Sequence, residues 1–280
     1  LYAAFERQLG WVVGLKVRVN NYIERMYALH SPAPFLSVVI NDCIAKGRDY
    51  YDGGPRYNTN YIQCCGIGTT TDSLSAIRTH VFEEKSCTLE RLLGALAADF
   101  AGEETLRLQL RNRTPFFGND DDRADQLMRR VYDSLYTTID GRPNTKGTTY
   151  HINMLSTTCH VYFGKMLGAT PDGRLRGMPE SDGTSPAHGA DRNGPTAVIQ
   201  SLAKMDQIKS GGTLLNMRFL PSVLASEQDL DKLAQLIRTY FRMNGHHVQF
   251  NVVDTDLLRR AQATPDDYRD LLVRVAGYSD

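Results

Sequence analysis

An α/β fold is what this sequence predicts, on three observations. Helix-spaced and alternating apolar patterns succeed one another along the 280 residues, most clearly in the last third. Glycine-, proline- and aspartate-rich connections separate them, and no internal repeat is visible. The chain is long enough to bury a full core, as one large domain or two small ones.

Taken in order, the first thirty residues carry apolar positions at Tyr2, Phe5, Leu9, Val12 and Val13, then Ile23, Met26 and Tyr27. This is helical spacing, weakened by Gly10 and Gly14, and Ser31-Pro32-Ala33-Pro34 ends it. Residues 35–47 read as a short buried segment and a helical turn, and Asp52 to Tyr57 as turn chemistry. Asp72 is placed to cap a helix carrying Leu74, Ile77, Val81 and Phe82, and Thr88 another with Leu92, Leu93, Leu96 and Phe100. Asp120-Asp121-Asp122 precede a helix through Leu127, Val131 and Leu135, where acids suit the positive end of the helix dipole. A β-like segment lies near Thr148–Leu155. Residues 168–196, rich in Gly, Pro and Asp, read as an ordered, folded-in loop rather than a linker, and lead into a helix at Thr196–Met205. Leu214–Leu220 reads as a strand. Ser226 caps a helix through Leu230, Leu233, Ile237, Tyr240 and Phe241, closed by Gly245. Residues 248–252 alternate like a strand, and Thr264-Pro265-Asp266-Asp267 reads as a helix start.

Composition excludes several classes of function. Lys plus Arg number 32 and Asp plus Glu 32, so net charge is zero and gives no electrostatic reason to expect nucleic acid or an anionic membrane. No apolar run approaches the length of a membrane span. Five cysteines, an odd number with Cys64 and Cys65 adjacent, fit reduced thiols in a cytoplasm better than a secreted disulfide framework. Seven histidines are scattered without Cys/His metal spacing. His246 and His247 would point to opposite faces of a strand, so no metal is expected. Asp120 to Asp122 lack calcium-loop spacing, and no GxxxxGK[ST] phosphate loop occurs. The chain opens at Leu1 without Met or a basic-then-apolar leader and is expected to be a piece cut at both ends.

One short segment carries distinctive chemistry, Arg274-Val275-Ala276-Gly277-Tyr278-Ser279. A backbone radical is most tolerable on glycine, because the α-carbon must flatten and no Cβ obstructs it. The flanking amide and carbonyl delocalise the unpaired electron, and apolar neighbours such as Val273, Val275 and Ala276 would shield it. The segment resembles the radical motif of the glycyl radical enzymes, the pyruvate formate-lyase-like family. The resemblance runs collinearly through Asp42-Cys43-Ile44, Gly53–Asn58, Asp72–Ile77, Gly118-Asn119-Asp120, Ala169–Arg174, Ser181–Pro186, Gly194–Val198 and Gln249–Val253. Within the family, Tyr61–Gly68 and Gly147–Met154 resemble most the branch that dehydrates trans-4-hydroxy-L-proline.

The resemblance implies the C-terminal half of a ten-stranded β/α barrel, with helices around two half-sheets packed antiparallel and the radical loop at its C-terminal end. Residues 1–200 would belong to the barrel domain and 201–280 to the glycine radical domain. Function would be a glycyl radical lyase performing C–O cleavage of a small hydroxylated substrate. The alternatives it implies are formate C-acetyltransferase, a diol dehydratase or a choline-type C–N lyase. An alternative of another class is a catalytically incomplete fragment or partner-binding module. Gly277 would hold the radical, installed by a radical-SAM activating enzyme that carries S-adenosylmethionine and an iron–sulfur cluster, and no cofactor would stay bound. A homodimer in the cytoplasm is expected. The radical would pass to a cysteine in a Gly-Cys-Val-Glu type motif, which these residues lack. The family places that motif before the region matching Leu1. Cys64, Cys65 and Cys159 are therefore expected to be packing thiols. Met154 to Thr158 resembles a pocket-lining barrel segment, which makes Thr157 and Met154 candidate substrate contacts.

Overall fold

The structure is a computed structural model that describes residues 1–271. Gly277 lies outside the described residues.

In chain order the helices and strands are α1 (Tyr2–His30), α2 (Pro34–Ser37), α3 (Asn41–Lys46), β1 (Asn60–Gln63), α4 (Ile67–Ala76), α5 (Leu89–Ala97), α6 (Glu104–Arg113), α7 (Asp122–Ile139), β2 (Tyr150–Met154), α8 (Cys159–Met166), α9 (Gly194–Ala203), β3 (Ser210–Phe219), α10 (Glu227–Arg242), β4 (His247–Val252) and α11 (Thr255–Ala263). Helices thus alternate with strands, as the patterning predicts. The chain divides into two compact units.

Unit 1 comprises Leu1–Ile62, Asp133–Asn153 and Lys209–Gly211. Its long helix α1 tolerates Gly10 and Gly14 without a break, because side-chain anchors fix it along its length. The Tyr2 hydroxyl meets Ser134 Oγ at 3.1 Å, and Tyr150 donates to Asn21 Oδ1 at 2.8 Å. Asn60 N donates to Thr149 O (3.2 Å), which ties the start of β1 beside β2. Ser210, at the start of β3, donates to Ile152 O on β2 (3.4 Å). The 35–47 segment keeps the expected helical turn but not the expected burial. It forms α2 and α3, and only Cys43 in those helices is buried, while Phe35 is 90% exposed. The apolar residues there stay exposed rather than joining a core, since a helix of four residues offers too little face to bury.

Unit 2 comprises Gln63–Tyr132, Met154–Ile208 and Gly212–Asp280, its last nine residues lying beyond those described. One core cluster joins Ala76, Cys87, Leu92, Ala95, Phe100, Leu106 and Leu110. Strands β3 and β4 pair in parallel, Leu214 opposite His247 through Phe219 opposite Val252. The Thr88 and Ser226 caps form as expected, accepting from Arg91 N and Asp229 N. Asp121 accepts from Arg123 N at the start of α7.

Three local expectations are corrected. Asp72 is not a cap: α4 begins at Ile67, and Asp72 sits fully buried inside it, accepting from Phe117 N at 2.8 Å. A helix interior outcompetes the cap where a distant amide needs an acceptor. The helix through Tyr240 ends at Arg242, and Asn244, not Gly245, takes the left-handed conformation (φ 64°). Pro265–Tyr268 is a single 3-10 turn, and Thr264 gives it no side-chain cap. The Thr264 hydroxyl instead donates back to Arg260 O (3.3 Å), the i−4 bond that competes with capping.

Candidate active site

The residues that follow β1 and β2 in unit 2 meet around the folded-in loop. Sequence patterning placed order in 168–196, and the structure buries Ser181 to Ala187 without interruption. Ser181 clasps the start of α4 from both sides. Its hydroxyl accepts from Thr69 N (3.0 Å), its amide donates to Thr69 Oγ1 (2.9 Å), and its carbonyl accepts from Gly66 N (3.1 Å). Gly183 (φ +46°) lets the loop run against β3. A Cβ there would stand 2.4 Å from Leu214 O, so only glycine fits. Thr184 completes the seam, donating N and Oγ1 to Leu214 O at 2.8 and 2.9 Å.

The turn after β2 carries the predicted contacts. Met154 is fully buried, and its carbonyl lies 3.0 Å from where a Gly183 side-chain carbon would begin. Thr157 is exposed and holds φ at +50°, a conformation that costs a β-branched residue strain. It lies beyond β2 rather than in it. Its hydroxyl donates to Ser156 O (2.7 Å), leaving the oxygen lone pairs free to accept from a ligand. Ser156 Oγ accepts from Gly183 N (3.0 Å) and sits 3.4 Å from His160 Nδ1. His160 is fully buried, its Nε2 has no partner among the described residues, and burial lowers its pKa.

Around this turn gather groups that sequence reading did not single out. Asp182 accepts from the Asn216 side-chain amide. Glu180 donates its backbone N–H to His160 O (3.2 Å), and its carboxyl is pressed against Gly66. Burial raises the Glu180 carboxyl above the usual carboxylate range. Cys64 and Cys65 follow β1. Burial pushes both thiols up to about 12, with Cys159, Glu180 and Asp182 adding negative field at Cys65. Such thiols stay protonated near neutrality, which suits packing rather than nucleophilic chemistry. No group of three or more His, Cys, Asp or Glu among the described residues is arranged to hold a metal ion.

A second region of unit 2 holds a cavity of about 550 Å³, bordered by Ser185, His188, Asn216, Arg218 and Phe219. Thr157, Met154 and Glu180 do not line it. The acids at the start of α7 are neutralised by Lys204, whose Nζ lies 2.8 Å from Asp120, Asp122 and Asp125 alike. That places the acidic run in a structural ion network.

A parallel strand pair, a glycine-bearing buried loop and polar turns at the strand ends mark an α/β site, and family comparison names its class. The pyruvate formate lyase-like family model matches residues 1–164 and the glycine radical model residues 180–280, the second stretch containing Gly277. The chain belongs to the pyruvate formate lyase-like family. It is 53% identical over 280 residues to trans-4-hydroxy-L-proline dehydratase of Clostridioides difficile, covering all of this chain and 36% of that protein. The crystal structure of hydroxyproline dehydratase from Clostridioides difficile, with trans-4-hydroxy-L-proline bound, superposes with a TM-score of 0.95 over 100% of this chain and 35% of that one. The glycerol-bound B12-independent glycerol dehydratase of Clostridium butyricum follows at 40% identity and a TM-score of 0.93, covering 99% of this chain and 35% of that one. The chain therefore spans about a third of the length of the relatives it matches.

Proposed function

We propose that the protein carrying this chain is a glycyl radical lyase that eliminates water from trans-4-hydroxy-L-proline by C–O cleavage. The observation that carries this reading is the 53% identity to the hydroxyproline dehydratase over the whole chain, against 40% for the glycerol dehydratase. Diol dehydration has less support on that measure, at 40% and 38% identity. In this reading Gly277 holds the radical after a radical-SAM activating enzyme, with its S-adenosylmethionine and iron–sulfur cluster, removes a hydrogen atom. Residues 1–200 contribute to the barrel domain and 201–280 to the radical domain. The protein works anaerobically in the cytoplasm as a homodimer. Thr157 accepts a hydrogen bond from the polar substrate, and Met154 backs the pocket wall. The protein's part is to position the substrate and to shield the radical from water.

The test is an anaerobic electron paramagnetic resonance spectrum of the full-length protein after activation, with Gly277→Ala as control, followed by a product assay with trans-4-hydroxy-L-proline. A glycyl doublet absent from the control, with dehydration of hydroxyproline, is expected. A doublet without dehydration would remove the substrate and keep the class. No doublet, with an activator proven on a relative, would remove both.

A further inference from the structure

Thr157 is exposed and left-handed (φ +50°), and the residue before it, Ser156, is fully buried. The Ser156 carbonyl accepts from the Thr157 hydroxyl at 2.7 Å and from Cys159 N at 2.9 Å. Those bonds are local and need no particular side chain at position 156. The Ser156 hydroxyl is different. It accepts from Gly183 N at 3.0 Å, twenty-seven positions along the chain. It also lies 3.4 Å from Nδ1 of His160, a fully buried ring whose own backbone carbonyl accepts from Glu180 N at 3.2 Å.

The far end of that hydroxyl bond is fixed. Gly183 holds φ +46°, and a Cβ on it would stand 2.4 Å from Leu214 O and 3.0 Å from Met154 O. Thr184, next to it, donates twice to Leu214 O, at 2.8 and 2.9 Å. The Gly183 amide therefore has little room to follow the turn, and the turn is held to the amide instead. Such an anchor matters because the left-handed region is unfavourable for a β-branched residue and persists only where the surroundings over-determine it. The two carbonyl bonds would survive loss of the Ser156 hydroxyl, whereas the buried Gly183 N would lose its acceptor.

We propose that Ser156 is a positioning residue for substrate binding: its hydroxyl, anchored on Gly183 N, holds the turn in the pose that presents the Thr157 hydroxyl to the substrate. The proposal rests on the Thr157 contact put forward above and deepens it, since it names what keeps that hydroxyl in place. Ser156 itself touches no substrate. Its buried oxygen is engaged by Gly183 and His160, while the Thr157 oxygen keeps lone pairs free to accept. A serine with a purely architectural role would change stability and leave the affinity of the folded protein alone. A positioning serine changes affinity, and does so only through Thr157.

The test uses full-length protein without activation, so that no turnover occurs. Calorimetric titrations with trans-4-hydroxy-L-proline compare native protein, Ser156→Ala, Thr157→Ala and the double variant, all well below their unfolding temperatures. Each single variant should bind roughly tenfold more weakly, the scale of one hydrogen bond, and the double variant no more weakly than Thr157→Ala. Native affinity in Ser156→Ala, beside a loss in Thr157→Ala, overturns the proposal and leaves the Thr157 contact standing. Losses that multiply in the double variant also overturn it, since Ser156 would then act elsewhere. Native affinity in Thr157→Ala removes the contact and this proposal together. Should Ser156→Ala fail to fold, Ser156→Cys, close in size but a weak acceptor, takes its place with the same outcomes. If native protein ignores hydroxyproline, the substrate reading fails and crystal structures decide the positioning. Thr157 of the variant should then leave the left-handed region or swing its hydroxyl away, and an unchanged turn overturns the proposal.

Discussion

One of the strained backbone positions of this chain, Thr157, lies where ligand chemistry is expected. Thr157 holds φ +50°, which costs an ordinary residue about 1–2 kcal/mol. Thr157→Gly should therefore raise the unfolding free energy by about 1 kcal/mol in urea titrations while weakening hydroxyproline binding. A variant that loses stability would show that the threonine's packing outweighs its strain. Gly183 is the opposite case. Adding a Cβ at φ +46°, 2.4 Å from Leu214 O, should cost about 3 kcal/mol, since backbone on both sides must move. The same denaturation experiment reads it, with near-wild-type stability as the contrary result. Asp72 supplies a pH dependence. Burial raises its carboxyl well above 3.8, with the Phe117 amide opposing and Asp172 adding repulsion. The folded chain therefore holds a proton that the unfolded chain has released, and stability falls as pH rises from 3.8 through the folded value. Asp72→Asn keeps an acceptor for Phe117 N and removes that ionisation. Its thermal midpoint relative to wild type should rise steadily with pH above 4, and a constant difference would contradict the assignment.

At the scale of elements, capping was legible at Ser226 and Thr88, where a short polar side chain stands just before an amphipathic run. Ser226 accepts from Asp229 N at 3.2 Å, and Thr88 from Arg91 N at 3.1 Å. Ser226→Ala should destabilise the first turn of α10 by about 1 kcal/mol, read as faster amide exchange at Asp229 and Leu230. Unchanged exchange would assign the cap to the backbone alone. Elements failed where a remote partner decided. Asp72 has cap chemistry, but Phe117 N, forty-five residues away, takes its oxygen. The helix it lies in continues as a π-helical turn, Ile77–Glu83, which puts His80 against Thr114 Oγ1 at 3.1 Å. Nothing in the local pattern of Leu74, Ile77, Val81 and Phe82 distinguishes that wider turn from an α-helix, because both keep the same residues apolar.

On the scale of the whole molecule, the α/β expectation holds, with helices alternating with strands and a parallel β3–β4 pair. Among the described residues no helix is long and apolar enough to cross a membrane. The family was legible because its signal is collinear order over many short segments rather than any single motif. If Gly277 has only a radical role, Gly277→Ala should abolish turnover and leave hydroxyproline affinity within about twofold in the unactivated protein. A larger loss would give the loop a binding role.

The sequence by itself determined the alternation of helices and strands, the caps at Thr88 and Ser226, the ordered 168–196 loop and the family. Each of these rests on local spacing or on linear order, which one chain displays in full. Only the tertiary structure decided the burial of Asp72, the left-handed turn at Thr157 and the Lys204 clasp of three aspartates. It alone brought Glu180 against Gly66, 114 positions apart in a chain whose connecting segments carry no signal of their meeting. Those features depend on which groups the fold removes from water together, and desolvation is a property of three-dimensional neighbours, not of sequence neighbours.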